Sequence, residues 1–443
     1  MSGAAAGGGR APVRIVHLGL GAFHRSHQAW YTAHAADAHD WGIAAYTGRH
    51  PDAADILQAQ DCVYTLVERG AGSDRYERID SIVRAVPGDD LADFVETMAA
   101  GDVAVVTLTV TEAGYRATPT GALDRDDPDV ERDVSALRDF FSGDGPKLPA
   151  VRTVPGRLVL GLDVRRRLGA PPIAIVSCDN LPDNGALTRR VVGGFAQLVS
   201  PDLAAWLPTG ASFVSTSVDR ITPRLEAGDV ERISAAVGWA DAAPVVTEPF
   251  ADWVLAGDFP SGRPAWESAG ARFVDDIHPW EARKLWMLNG AHTLLASSGR
   301  LRGHDTVAAA FADPVCRAQV DTLWDEAAAQ LPAVETTGYR AALAERFANP
   351  RIVHRLAQIA EGSLTKLRLR VVPVALAERD AGRPADGCAT AIAAWAIVER
   401  PDADALDALQ DVSPDLAADD AFATRLRTIH SSILTAEKAD PTR

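Results

Sequence analysis

The first part of the chain alternates short β-branched runs with amphipathic stretches. RIVHL (14–18), IAAYT (43–47), DVAVVTLTV (102–110), IAIVSC (173–178), SFVSTS (212–217) and PVVTE (244–248) predict strands. Several are apolar throughout, the pattern of parallel strands buried on both faces. The intervening stretches, such as 24–38 and 89–100, have helical spacing. Strand–helix alternation of this kind predicts a doubly wound α/β sheet. Beyond residue 276 the strand pattern fades, and Ala, Leu, Glu and Arg dominate. Helix-like stretches near 278–297, 313–331, 339–347, 351–361 and 386–398 predict a mostly α-helical second domain. The boundary is placed in VDDIHPW (274–280), where Pro279 suits the first turn of a helix. The expected domains are 13–276 and 277–443. The segment 117–135, rich in Asp, Pro, Gly and Thr, reads as an excursion from the first.

A length of 443 residues agrees with two or three domains. Apolar residues make up 47% and charged residues 23%, ordinary values for a globular chain. The net charge of −16 argues against a broad basic surface for nucleic acid or anionic lipid. It leaves room for a small anion, since KLRLR (366–370) is locally basic. Cys62, Cys178, Cys316 and Cys388 are far apart and form no CxxC pair, which fits a reducing, cytoplasmic setting. The N-terminal MSGAAAGGGRAPVR lacks the apolar core of a signal peptide and reads as a disordered lead-in. No run approaches the roughly 18 apolar residues of a membrane span.

Candidate chemistry begins at RIVHLGLGAFHR, where Gly19 and Gly21 directly follow the first strand, with Ala22 and Phe23 behind them. Glycines there let the backbone turn tightly and approach a pyrophosphate, which predicts dinucleotide binding. The plain alternative is a strand-to-helix turn, since His24 stands where a third glycine is usual. After the second strand, Asp52 is a candidate for the adenosine ribose, but Arg49 and His50 precede it and suit a 2′-phosphate. NAD is expected, with NADP left open. His24 and His27 have HxxH spacing, read as helix-surface or supporting histidines rather than a metal pair.

KLWMLNGAH (284–292) places polar residues inside an apolar helix. At ~100° per residue, taking Lys284 as zero, Glu281 falls at about 60°, His292 at about 80° and Asn289 at about 140°. One face then gathers a carboxylate, an amine, an imidazole and an amide, expected to look into a cleft between domains. A lysine of lowered pKa suits the base that hydride transfer from a secondary alcohol requires, and the amide and imidazole suit a developing alkoxide. The alternative is a solvated polar stripe, or a lysine paired with Glu281. In SCDNLPDNG (177–185) Asn180 offers a second amide, against an Asx-rich turn. In VDRITPR (218–224) Asp219 suits a substrate hydroxyl, against an N-cap or a structural Asp–Arg pair.

Together these segments resemble the polyol-specific long-chain dehydrogenase family, which includes mannitol 2-dehydrogenases and fructuronate (mannonate) oxidoreductases. The resemblance runs from about residue 13 to about 400. It is carried by HLGLGAFHRSHQAWY, TLTVTEAGY, SCDNLPDNG, SVDRITPR, EPFADWV, FVDDIHPWEARKLWMLNGAH and RFANPRIVHRLAQIAEGS. It implies an N-terminal Rossmann-type domain, a largely helical C-terminal domain, no catalytic metal and often a monomer. It further implies Lys284 as general base, Asn180 and Asn289 as an oxyanion hole, and His292 as the residue that orients substrate hydroxyls. Glu281 would stand on the proton path to Lys284, and Val218 and Asp219 would contact substrate. One departure bears on the substrate. Where the family typically has D-G-S-x-K with an arginine shortly before it, this chain reads AEGSLTKLRLRVVP, with Ala357 at the arginine position. Lys366 is the nearest substitute for the lysine, and this version is closer to the tagaturonate reductase pattern. Mannitol and fructose are the expected pair, with fructuronate or tagaturonate reduction as the alternative; Lys366 or Arg368 would then meet the carboxylate. A non-catalytic dinucleotide sensor is the rival from another class.

Overall fold

A computed structural model of the chain describes residues 9–48, 50–143 and 148–439. The first eight residues of the N-terminal lead-in, and Arg49, lie outside the described residues. The chain divides into two compact units. One comprises residues up to Arg69 and Asp74–Ile277, the other Gly70–Ser73 and the chain from His278 onward. The short segment 70–73 joins the second unit through Arg351, whose Nη1 donates to the Gly70 carbonyl at 2.9 Å.

The first unit holds strands β1 (Val13–Leu18), β2 (Gly42–Tyr46), β3 (Tyr64–Arg69), β4 (Asp74–Ile79), β5 (Ile82–Val86), β6 (Val105–Leu108), β7 (Ile173–Ser177), β8 (Ala211–Asp219), β9 (Val245–Thr247), β10 (Asp252–Ala256) and β11 (Arg272–Phe273). Its main sheet has the order β11-β10-β8-β7-β6-β1-β2-β5. The six strands from β8 to β5 are parallel, and β10 joins β8 antiparallel. Counted among themselves, those six strands have the order of the Rossmann fold, whose ligands bind outside the carboxyl ends of the strands. The pleat sends neighbouring residues into opposite layers. Ile15 packs with Tyr31, Leu57 and Trp253, whereas Val16 and Leu18 pack with Leu158, Val159 and Phe195. Each such apolar side chain contributes about 2 kcal/mol on burial, so both faces of β1 favour the doubly wound arrangement.

PVVTE does not extend the main sheet. It forms β9, which pairs with β3 in a small sheet of order β4-β3-β9. The segment 117–135 leads into a helix, Pro128–Ser142, that buries Val130 and Leu137 in the first unit's core.

The second unit is helical. Helix Gly290–Leu301 runs through its middle and buries Gly290 through Gly299 without interruption. It packs against helices Pro314–Ala329, Leu356–Ala360 and Asp386–Glu399. A helix apolar on all sides is a core helix, so a polar side chain at its start needs a specific reason.

Candidate functional site

The glycine turn leaves β1 at Leu18. Gly19 has φ +108, and a Cβ there would lie 2.0 Å from the Thr109 carbonyl oxygen, just past β6. Only glycine fits both the conformation and the approach. The Gly19 and Leu20 amides each donate to the Tyr46 carbonyl at 2.9 Å, which ties the turn to the end of β2. Gly21 differs. Its backbone is extended, with φ −147, and the nearest atom to an added Cβ is the Gly19 oxygen at 3.6 Å. The protein itself has room for a side chain there.

Beside the turn lies a cavity of about 990 Å³ bordered by Gly19, Thr47, His50, Asp89, Thr109 and Arg157 among others; Gly21, Ala22 and Phe23 do not border it. Its volume suits a nucleotide-sized ligand, and the tight Gly19 turn on its border fits a dinucleotide diphosphate. Ala22 and Phe23 open the helix behind Gly21, Ala22 exposed and Phe23 stacked on His27 with ring centroids 5.0 Å apart. This helix ends at Ser26 and a second begins at Gln28, so the expected continuous helix over 24–38 is broken at His27. Asp52 starts helix Asp52–Ala59 and does not border the cavity. Asp89, which follows β5, does border it and places a carboxylate there. Its place became visible only through the parallel pairing of β5 with β2.

Of the two expectations for His24 and His27, helix-surface or supporting histidines, burial rules out the first: both are fully buried. His24 stacks on His17 with ring centroids 3.3 Å apart. His17 is hydrogen-bonded to Thr107 Oγ1 at 2.8 Å and Thr109 Oγ1 at 3.1 Å. Among the described residues no group of three or more His, Cys, Asp or Glu side chains is arranged to hold a metal. Burial pushes the His17 pKa down from 6.5 to about 3. Burial, then the neighbouring His17, holds His24 well below 6.5. The unfolded chain therefore takes up protons below 6.5 that the folded chain refuses. Stability falls as pH drops through that range, by about 1.4 kcal/mol per unit for each histidine. Denaturant unfolding between about pH 7 and pH 5 checks this: His17→Phe should flatten the slope, and a flat wild-type profile would refute it.

The loop after β7 is pinned from both sides. Asp179 accepts from the Val110 amide at 3.0 Å, the Thr111 amide at 2.8 Å and Tyr115 Oη at 2.7 Å. Asn184 Nδ2 donates to the Thr216 and Asp179 carbonyls at 2.8 Å and 2.9 Å, while its Oδ1 accepts from the Thr216 amide at 2.8 Å. Asn180 sits exposed between these anchors, on a loop they hold rigid. The sequence reading missed Asp179 and Asn184, although their types and loop position were the available signal. Val218 and Asp219 close β8, buried and opposite Trp253 and Asp252. Arg220 beside them is buried and pairs with Glu68 at 2.9 Å.

In the second unit, helix His278–Arg283 carries the half-buried Glu281 and leads directly into a π-helical turn over Lys284–Asn289. The Gly290 amide reaches back to the Leu285 carbonyl, the five-residue step of a π-helix. This corrects the uniform 100° spacing: residues five apart stack one turn apart, so Lys284 and Asn289 share a face. Side chains from other elements hold the widened turn. Trp324 Nε1 donates to the Met287 carbonyl at 2.9 Å, and Arg370 Nη1 and Thr293 Oγ1 donate to the Asn289 carbonyl at 3.3 Å and 3.0 Å. Lys284 and Asn289 are half-buried. His292 is buried against Phe347 and His354, with ring centroids 4.9 Å and 4.8 Å away. Burial, then the nearby His354, Arg346 and Arg370, holds its pKa well below 6.5, so it is a neutral hydrogen-bonding group at neutral pH.

Lys366 Nζ donates to the Ile359 carbonyl at 2.8 Å. Burial and the nearby Arg370 lower its pKa. Arg368 is exposed and bonds to the Asp411 carbonyl, away from this cluster. Arg370, which the sequence reading did not single out, stands here instead, with its pKa drawn down to about 10 by burial. Neither Lys366 nor Arg370 forms an ion pair among the described residues.

Known proteins match both units of the chain. Residues 13–268 match the mannitol dehydrogenase Rossmann domain and residues 276–429 the mannitol dehydrogenase C-terminal domain. The D-mannonate oxidoreductase of Escherichia coli (strain K12) is 37% identical over 382 residues, 83% of this chain and 76% of that protein. The mannitol 2-dehydrogenase of Cereibacter sphaeroides is 34% identical over 392 residues, 86% of this chain and 80% of that protein. The structure of Pseudomonas fluorescens mannitol 2-dehydrogenase, a ternary complex with NAD and D-mannitol, superposes with a TM-score of 0.75 at 30% identity, covering 97% of this chain and 94% of that one. With both of its units matched in order, the chain belongs to the mannitol dehydrogenase family of oxidoreductases.

Proposed function

We propose that this NAD-dependent oxidoreductase interconverts a linear sugar acid with its keto form at a secondary CH–OH group. The observation that favours an acid is the cationic cluster around His292, where Lys366 and Arg370 have no carboxylate partner among the described residues. Partly buried cations without an ion pair suit a substrate carboxylate. The neutral mannitol–fructose pair is the second reading. It is favoured by Lys366 Nζ, which already spends one donor on the Ile359 carbonyl.

NAD, when bound, accepts or returns the hydride. The chain's own residues handle the proton and the oxygen. Lys284 Nζ takes the hydroxyl proton on oxidation and returns it on reduction. Asn180 and Asn289 donate their amide hydrogens to the oxygen as it gains negative charge. His292, neutral by burial, orients a neighbouring hydroxyl without adding charge beside the lysine. Glu281 relays the proton to and from Lys284, and Val218 and Asp219 contact the substrate.

The test compares initial rates of wild type and Lys366→Ala on mannonate, altronate, mannitol, arabinitol and sorbitol. The acid reading predicts turnover of a hexonate, with KM raised at least about tenfold in the variant, the size of one lost charge-assisted bond. Turnover of mannitol alone, unchanged by Lys366→Ala, would select the neutral polyol. Cofactor binding without turnover on the panel would favour a sensor.

A further inference from the structure

Several residues that follow β6 border the dinucleotide cavity, and one of them, Arg157, is an arginine without a bonding partner among the described residues. Arg157 lies on helix Val154–Leu168 and is only 8% exposed, yet it borders the cavity. Its guanidinium makes no hydrogen bond and no ion pair among the described residues, and Nε is shut away from solvent without a partner. A buried arginine normally finds an acceptor, because an unmade bond to a charged group is costly.

Among the described residues, none of the charged groups around it is bonded to it. Asp133 accepts from the Arg152 and Thr153 amides through Oδ2 at 3.0 Å and 2.7 Å, while its Oδ1 lies 3.6 Å from Arg132 and makes no hydrogen bond. Arg116, which also borders the cavity, is already paired with Asp127 at 2.7 Å and Asp129 at 2.9 Å. Asp89 is the exposed carboxylate on the same wall and stays beyond ion-pair distance of Arg157. Burial dominates the surroundings of Arg157 and lowers its pKa, with the charges of Asp133 and Asp89 opposing that effect. The cavity thus offers a fixed, poorly hydrated cation and an open path to it.

We propose that Arg157 is a phosphate-binding residue of the dinucleotide cavity, holding a phosphoryl group of the cofactor by charge-assisted hydrogen bonds. Two sources share that chemistry: the pyrophosphate common to both nicotinamide dinucleotides, and the 2′-phosphate of NADP alone. The inference concerns binding only and stands apart from the choice of sugar substrate.

The experiment is calorimetric titration of wild type and Arg157→Gln with NADH, NADPH, ADP and adenosine, with thermal melting in parallel. The expected result is a rise of about ten- to a hundredfold in Kd for phosphate-bearing ligands, with adenosine unchanged. Equal losses for NADH, NADPH and ADP assign the pyrophosphate; a loss confined to NADPH assigns the 2′-phosphate. Kd values within about twofold of wild type for all ligands, in a variant that melts normally, would overturn the proposal. If Arg157→Gln does not fold, Arg157→Lys keeps the positive charge near Asp133 and carries the same comparison, with a smaller loss expected because lysine lacks the planar fork. Should that also fail, hydrogen exchange of wild type decides: protection of residues 152–158 by ADP but not adenosine supports the assignment, and its absence refutes it.

Discussion

Lys284→Ala should lower kcat/KM on the preferred substrate by about 10²- to 10⁴-fold, the usual worth of a positioned general base. NADH affinity, measured by titration, should stay within about twofold, because the cavity residues all lie in the first unit. Lys284→Arg sharpens the test. Arginine keeps the positive charge but does not lose its proton in the working range. A lysine that acts as base predicts that the arginine variant is nearly as inactive as the alanine variant. A lysine that merely supplies charge predicts that arginine restores most of the activity. The π-helical turn gives the contrast its structural footing, since Lys284 and Asn289 stand one π-turn apart, on a backbone clamped by Trp324, Thr293 and Arg370.

The second large effect separates two glycines of one motif. Gly19→Ala forces a Cβ to 2.0 Å from the Thr109 carbonyl oxygen at φ +108. Strain in that conformation and displacement of the strand end should together cost about 3–5 kcal/mol. Gly21→Ala meets nothing closer than 3.6 Å and keeps an ordinary extended backbone. Its stability should change by less than about 1 kcal/mol, while cofactor binding weakens at least tenfold if Gly21 serves as the motif's second glycine, where the backbone approaches the pyrophosphate. Urea unfolding with NADH titration reads both. Equal stability losses in the two variants would show that Gly21 also serves the fold.

The apolar strands announced the main sheet because burial on both faces erases the polar alternation that hides other strands. RIVHL and IAIVSC became members of it, and so did SFVSTS, whose polar residues alternate with buried ones. DRYERI carried no such signal. It forms β4 at the edge of the small sheet, mostly exposed, and its polar face looked like loop. PVVTE had the right composition for a strand but not the information about its partner, since pairing with β3 is a long-range choice. The same limit governs the candidate site. The polar residues of KLWMLNGAH were legible as a group, yet the π-turn that realigns Asn289 depends on Trp324, Thr293 and Arg370 capturing freed carbonyls. Asp89 and Arg157 were invisible for a similar reason: the one lines the cavity through a strand pairing, the other through a helix that follows a long excursion.

The central claim is direct hydride transfer between the sugar carbon and nicotinamide. It is tested by incubating the enzyme with NAD and the preferred substrate deuterated at the carbon that is oxidised, then following the label by mass spectrometry. The account predicts that the deuterium appears on the reduced nicotinamide in wild type, with almost none transferred by Lys284→Ala. Loss of the label to solvent, or transfer that proceeds equally well without Lys284, would contradict it.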